Sequence, residues 1–500
     1  MTSKLKIAGW VAIGALAGGM TTLQFQATAR SATPQLPLEE LQQLAAVFGM
    51  IKTDYVEPVD EKKLISDAIG GMVAGLDPHS QYFDKTTFKE FREGTSGKFV
   101  GVGIEIGMED GLVKIVSPIE GSPAFRAGLK SGDLITKIDD TFVKGLTMDQ
   151  AVKRMRGEPN TKVVLTIFRK SENRSFPVTI IREEIRVQSV RAKMVEPGYA
   201  YVRITQFQDR TVEDFVTKVS KLYADEPQVK GLVLDLRNDP GGLLDGAVAI
   251  SAAFLPKDVV VVTTDGQLAE SKQKFLARPE DYSRRSGSDV LARLPAALKN
   301  VPVVVLVNEG SASASEIVSG ALQDHKRAVI MGAQTFGKGS VQTVRQLTAD
   351  TALKITTARY YTPNGRSIQA KGIVPDVMID ESAEGNLYSA LRMREADLEK
   401  HISSGQGPES KDAAREKARE EAIKRLEEKE KAAKDKDDKP KPLPEFGSPE
   451  DFQLQQALNQ LKGLPVLASK TMTERKDEKA EAKDSKDEKA KDDKPKADGK

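Results

Sequence analysis

Five short, nearly unbroken apolar runs lie between residues 200 and 331, and they limit this chain's fold more than any other feature. They are Ala200-Tyr-Val-Arg-Ile204, Gly231-Leu-Val-Leu-Asp-Leu236, Val259-Val-Val-Val-Thr263, Val303-Val-Val-Leu-Val307 and Ala328-Val-Ile-Met331. Between them fall amphipathic or small-residue stretches at 211–223, 243–254 and 313–322, which read as helices. Strands that are apolar on both sides need a sheet covered on both faces, so this part is α/β. A polar stretch at about 265–295, carrying Arg278-Pro-Glu-Asp-Tyr282, interrupts the pattern and reads as an inserted lid.

Other regions differ in character. Over 36–96 the apolar positions Leu36, Leu38, Leu41, Leu44, Ala45, Phe48 and Ile51 have helical spacing, and a second helix runs 64–76 to a break at Asp77-Pro78. No chemistry stands out there; a packing or dimerising helical region is expected. Residues 97–185 form a small, mostly β module with glycine-punctuated strands. From 386 to 500 the chain becomes a charged tail. Of residues 470–500, 21 of 31 are charged, too polar to offset the entropy of ordering, so disorder is expected. A charged helix former spans 413–431. Phe452, Leu454, Ala457, Leu458 and Leu461 give a helix over 450–462, able to dock on the body or a second subunit.

The first 29 residues read as an export signal or an anchor. Lys4 and Lys6 precede a 14-residue apolar run at 7–20, and Ala27-Thr-Ala29 offers small residues before a cleavage point. The run falls short of the roughly 20 residues of a spanning helix. The expectation is an exported protein of the bacterial periplasm, held at the inner membrane if the segment stays uncleaved. With no Cys and only His79, His325 and His401, thiolate chemistry is out and a multi-His metal site is nearly so. The net charge of +2 gives no argument for nucleic acid.

Two stretches carry candidate chemistry. Asn308-Glu-Gly-Ser-Ala-Ser-Ala-Ser-Glu-Ile317 follows a strand and opens a helix, placing serine beside unpaired backbone N–H groups. Gly332-Ala-Gln-Thr-Phe-Gly-Lys-Gly-Ser340 nearly spells a phosphate-binding loop. Gly339 stands where the metal-holding Ser/Thr belongs, however, and a strand follows instead of a helix. His325 lies about 18 Å from Ser313 along one helix and cannot serve it. Lys338 can: across the next strand and turn, buried among glycines and apolar groups, its pKa would fall from about 10.4 towards 7–8. Three readings follow: a serine hydrolase, a binding scaffold with a dead core, and a nucleotide-binding protein.

The chain resembles the C-terminal processing peptidases, tail-specific Ser–Lys proteases. The resemblance runs over about 40–380. It is carried by Leu76-Asp-Pro-His-Ser-Gln-Tyr-Phe83, Gly101-Val-Gly-Ile-Glu-Ile106, Leu234-Asp-Leu-Arg-Asn-Asp-Pro-Gly-Gly-Leu-Leu244, Gly310-Ser-Ala-Ser-Ala-Ser-Glu316, Thr335-Phe-Gly-Lys-Gly-Ser-Val-Gln342 and Tyr361-Thr-Pro-Asn-Gly365. It implies a crotonase/ClpP-like α/β protease core over 186–385 with an inserted PDZ domain at 97–185. It implies Ser313 as nucleophile, Lys338 as general base and Gln342 as the residue orienting the amine. Ser311 and Ser315 would cap or pack. The oxyanion hole would use the N–H of Ala314 and one from Gly241 or Gly242. Val102, Gly103 and Ile104 would bind a peptide carboxylate. Substrates would be proteins or peptides with free C-termini, with an adaptor and a homodimer as further partners and no metal or cofactor. The alternative is a catalytically inactive PDZ peptide-binding scaffold.

Overall fold

The computed structural model describes residues 36–283, 289–383, 385, 392–406, 419–420, 423–424 and 444–469. The expected signal at 1–29, most of the helix former at 413–431 and the tail at 470–500 lie outside the described residues. None of the described helices is long and apolar enough to cross a membrane.

The chain divides into two units, 1–71 and 72–500. The first holds the helix Leu38–Asp54, whose residues all keep solvent exposure, and most of the helix Glu61–Ala74. The second holds everything that positions the site.

Its centre is a six-stranded sheet in the order Val190–Glu196, Tyr199–Ile204, Gly231–Asp235, Val303–Val307, Val329–Gly332, Val377–Met378. The first pair is antiparallel and the rest are parallel. Gly231–Asp235 and Val303–Val307 are buried at every position, as continuous apolar runs require. Helices Thr211–Asp225, Leu244–Phe254 and Ala314–Asp324 share one large core with this sheet through Phe215, Val248, Phe254, Ile317 and Val318. The helix Phe452–Lys462 covers the sheet elsewhere. Leu454, Ala457 and Leu458 pack with Val233, Val304, Leu306 and Met331 in a separate cluster, so the expected helix at 450–462 docks on the body.

A second sheet joins Ser340–Gln346, Ala352–Tyr361, Val260–Asp265, Lys274–Leu276 and the short strand Gln81–Phe83. Here the expectation of a lid is corrected. Lys274–Leu276 pairs with Val260–Asp265, and Ala277, Tyr282, Val290, Leu291 and Leu294 pack into or against the main core. The apolar residues scattered through that polar stretch are enough to bind it to the body.

Residues 98–186 form the β module. Its sheet runs Ile104–Glu109, Leu112–Pro118, Leu134–Ile138, Lys162–Arg169, Arg174–Ile181 around a core of Val113, Ile115, Ile135, Leu165 and Ile167. The helix Met148–Met155 closes it, started by a capping box between Thr147 and Gln150. Lys98–Gly101 pairs with Glu183–Arg186, so the module leaves and rejoins the chain through one two-stranded neck.

Candidate active site

Ser313 stands at the N-cap of the helix Ala314–Asp324 with φ 56° and ψ −112°. A non-glycine residue rarely adopts such a backbone, and strain of this kind persists only where the surroundings impose it. The flanking serines impose it. Ser311 Oγ donates to Leu236 O at 2.8 Å and accepts Asn308 N–H at 2.9 Å; Ser315 Oγ donates to Asp239 O at 2.8 Å. Both are fully buried and fasten the turn before the helix to the end of the neighbouring strand. Between them Ser313 keeps part of its surface open.

Lys338 arrives from the other sheet, two residues before Ser340–Gln346. Its Nζ donates to Gln342 Oε1 at 2.7 Å. Gln342 Nε2 donates in turn to Ser340 Oγ at 3.0 Å and Thr356 Oγ1 at 3.1 Å, which fixes the carboxamide with its oxygen towards the amine. Burial of the amine lowers the Lys338 pKa to about 8; the Glu395 carboxylate opposes the shift and the Lys354 ammonium adds to it. Tyr360 OH donates to the Lys338 carbonyl and faces the Ser313 side chain.

The region at 77–80, where the sequence shows no obvious chemistry, supports this lysine. Thr356 Oγ1 donates to Asp77 Oδ1 at 3.1 Å, and Ser80 Oγ donates to Asp77 Oδ2 at 2.6 Å. His79 Nε2 lies 2.7 Å from Oε2 of Glu395, which is fully buried and also accepts Gln369 Nε2–H at 2.8 Å. Asp-Pro-His-Ser thus does more than end a helix. His325, by contrast, sits at its helix end against Val260 O, 2.7 Å away, as its spacing implies.

One carboxylate joins the two sheets. Glu316 is fully buried, and its Oε2 accepts the N–H groups of Ser313 at 2.8 Å and Lys338 at 2.9 Å. Its Oε1 accepts Thr335 Oγ1–H at 2.5 Å and Gly337 N–H at 2.7 Å. Burial raises its pKa to about 7 against the pull of these four donors. The pattern Ser313-x-x-Glu316 is a capping-box signature, and it is the signal that could have marked Glu316 in the sequence.

The turn Asn238–Gly242 meets the helix start. Asp239 O accepts Ala312 N–H at 2.9 Å, and a Cβ on Gly241 would lie 2.6–2.7 Å from Ala312 O, Ala314 N and Ser313 Cβ. Only glycine permits that approach. Of the two glycines left open by the sequence, Gly241 spends its N–H on Asp239 Oδ1 at 2.8 Å, which corrects its place among the donors. Gly242 is held by a bridge made of Phe207 N–H to Gly241 O and Leu243 N–H to Phe207 O, both 2.9 Å, and its own N–H takes no part in that bridge.

Comparison with known proteins follows this geometry. The profile of peptidase family S41 matches residues 198–379, that of a PDZ domain 100–180, and that of the activating protease CtpB N-terminal domain 12–87. A carboxy-terminal-processing protease of Bartonella bacilliformis is 41% identical over 371 residues, 74% of this chain and 82% of that protein. The chain belongs to peptidase family S41. This S41 protein is a C-terminal processing serine protease with a PDZ domain. It is also 41% identical to a probable CtpA-like serine protease of Staphylococcus aureus over 342 residues, 68% of this chain and 65% of that one. Among solved structures, a photosystem II D1 C-terminal processing protease matches with 30% identity over 65% of this chain and 84% of the other, at a TM-score of 0.39.

In the S41 protein the β module is the PDZ domain. Val102 and Gly103 lie between the neck strand Lys98–Gly101 and the strand Ile104–Glu109, which Ile104 opens. The carbonyls of Val102 and Gly103 accept from Ala124 N–H at 2.9 Å and Ile119 N–H at 3.0 Å, and Ser122 Oγ also donates to Gly103 O at 2.8 Å. A Cβ on Gly103 would fall 2.3 Å from Ser122 Cβ, so the loop is held close against the short helix Pro123–Arg126.

Proposed function

We propose that Ser313 and Lys338 form a Ser–Lys dyad that cleaves exported proteins near C-termini captured by the PDZ domain. The observation that supports it is that one oxygen of Glu316 accepts the N–H groups of both Ser313 and Lys338, so a strained serine at a helix start is held beside a lysine whose pKa is lowered to about 8 and whose amine donates to Gln342. Neutral Lys338 takes the Ser313 proton as the oxygen attacks a peptide carbonyl. The oxyanion is held by the N–H groups of Ala314 and Gly242, aided by the helix start. Lys338 then protonates the leaving amine and activates water against the acyl-enzyme. The loop at 102–104 would receive the terminal carboxylate while the peptide adds as a strand.

The test uses an unstructured polypeptide ending in small apolar residues, with a free or an amidated C-terminus. The parent protein is expected to cleave the free-carboxylate form at least about tenfold faster at low substrate, one carboxylate contact being worth 1.5–3 kcal/mol. Ser313→Ala, matched in circular dichroism, is expected to cleave neither. Equal rates on both forms would remove the tail-reading role; activity in Ser313→Ala would remove the nucleophile. Cleavage by neither protein would favour the scaffold or an enzyme awaiting an adaptor. We further place the protein in the bacterial periplasm, on the basic-then-apolar start of the chain. The mature N-terminus is expected just after Ala29, and protein found only in the cytosolic fraction would refute this.

A further inference from the structure

A segment of the second unit, 444–469, lies beyond the residues matched by the S41 profile. Its helix lies over the central sheet, and its start is tied to the strand end that feeds the oxyanion turn. Arg237 is 1% exposed. Its guanidinium donates to Asp451 Oδ1 at 2.9 Å and Oδ2 at 2.6 Å, to Gln453 Oε1 at 3.0 Å, and to both oxygens of Asp235 at 2.9 and 2.7 Å. The Phe446 ring stacks on it, 4.0 Å from ring centre to guanidinium carbon. Arg203 completes the cluster, donating to Asp235 Oδ2 and to the Arg237 carbonyl, both at 3.0 Å. Two arginines thus face two aspartates, and one of those aspartates is supplied by the C-terminal segment. Without it a buried guanidinium loses its second carboxylate, a costly state in a low-dielectric interior.

Arg237 is followed directly by Asn238, at φ 54°, then by Asp239, whose carbonyl holds Ala312 and Ser315, and then by Gly241 and Gly242. Fixing the Arg237 side chain from below fixes where this turn begins. We propose that residues 444–469 act as a strap that sets the oxyanion turn, with Asp451 as a positioning residue for the Gly242 N–H. This rests on the Ser–Lys reading given above. A donor displaced by an ångström from a developing oxyanion loses much of its effect on rate but little of its effect on substrate binding.

The experiment uses the full chain. Asp451→Asn keeps the shape but turns a carboxamide N–H towards the guanidinium. It is expected to lower kcat by about tenfold to a hundredfold with KM within about twofold. Its affinity for a peptide boronic acid, which forms a tetrahedral adduct needing the same donors, should fall in parallel. Val219→Ala, which weakens the main core from the helix Thr211–Asp225 without touching the strap or Arg237, is the control: it should lower the Tm but leave kcat at 25 °C within about threefold. If Asp451→Asn does not fold, Gln453→Ala, which removes one neutral acceptor, takes its place. An unchanged kcat and boronate affinity would overturn the proposal, as would an equal loss of kcat in Val219→Ala. Ser313→Ala in the same assay separates the two ideas. If it is inactive beside a fully active Asp451→Asn, only the strap fails; if it is active, the site reading fails and takes the strap with it.

Discussion

Replacing Lys338 by alanine is expected to lower kcat by about four orders of magnitude, the upper range for a general base, with KM nearly unchanged. The histidines among the described residues are committed elsewhere, His401 to the Leu398 carbonyl. His79 is paired with Glu395 and His325 with a backbone carbonyl. Attack by serine requires an unprotonated amine. In the parent, single-turnover kcat should therefore fall about tenfold per pH unit below the Lys338 pKa of about 8, and level off above it. Linkage supplies a second reading with a definite sign. A lysine whose folded pKa lies below its unfolded value of 10.5 binds fewer protons when folded, so its contribution to stability rises with pH between about 8 and 10.5. Lys338→Ala should abolish both the rate limb and that part of the stability rise. A flat single-turnover profile between pH 6 and 9, or a variant retaining more than about a hundredth of the parent rate, would exclude lysine as the base.

Glu316→Gln should be the most damaging single substitution that leaves the dyad itself intact. Each carboxylate oxygen of Glu316 accepts two donors, Ser313 and Lys338 N–H on one side, Thr335 Oγ1–H and Gly337 N–H on the other. A carboxamide must turn its own N–H₂ towards one of these pairs. Two buried donors are then left facing a third, at about 1–3 kcal/mol each. A loss of about 3 kcal/mol in unfolding free energy is expected, read by urea denaturation, with kcat down about a hundredfold because the serine and lysine backbones lose their shared anchor. The pH dependence runs opposite to that of lysine. A carboxyl raised from 4.5 to about 7 binds more protons when folded, so its contribution to stability is full below 4.5 and is lost as pH climbs through 7. That fall should vanish in Glu316→Gln. A variant as stable and as active as the parent would show that the carboxylate does not join the two halves of the site.

Much of this was legible in the chain. Continuous apolar runs such as Val303–Val307 announced a doubly covered sheet, and the glycine-punctuated stretch after Lys98 announced a β module. Ser313, Lys338 and Gln342 lie in local motifs, and four positions of turn and strand separate the Lys338 amine from the Gln342 oxygen to which it donates. The supporting groups were not legible in the same way. Asp77, Thr356 and Glu395 are ordinary polar residues whose meaning comes only from pairing across the second sheet, and no local pattern encodes that pairing. Arg237 reads as a charged residue after a strand; that it is buried follows from a segment more than two hundred positions later. The polar stretch at about 265–295 misled because a few apolar anchors outweigh many solvated side chains.

His79 and Glu395 meet although they are 316 residues apart in sequence, and the proposed nucleophile and base are carried by elements of two separate sheets. No fragment that ends before residue 395 therefore holds the whole support of the proposed dyad. On that reading, chemistry needs both Glu395 in place and the second sheet closed on the strand at 81–83. A hydrolase directed at loose polypeptide ends meets its greatest hazard in unfinished copies of itself. Placing the supports of the proposed base at opposite ends of the folding unit would keep each molecule harmless until it is no longer a substrate.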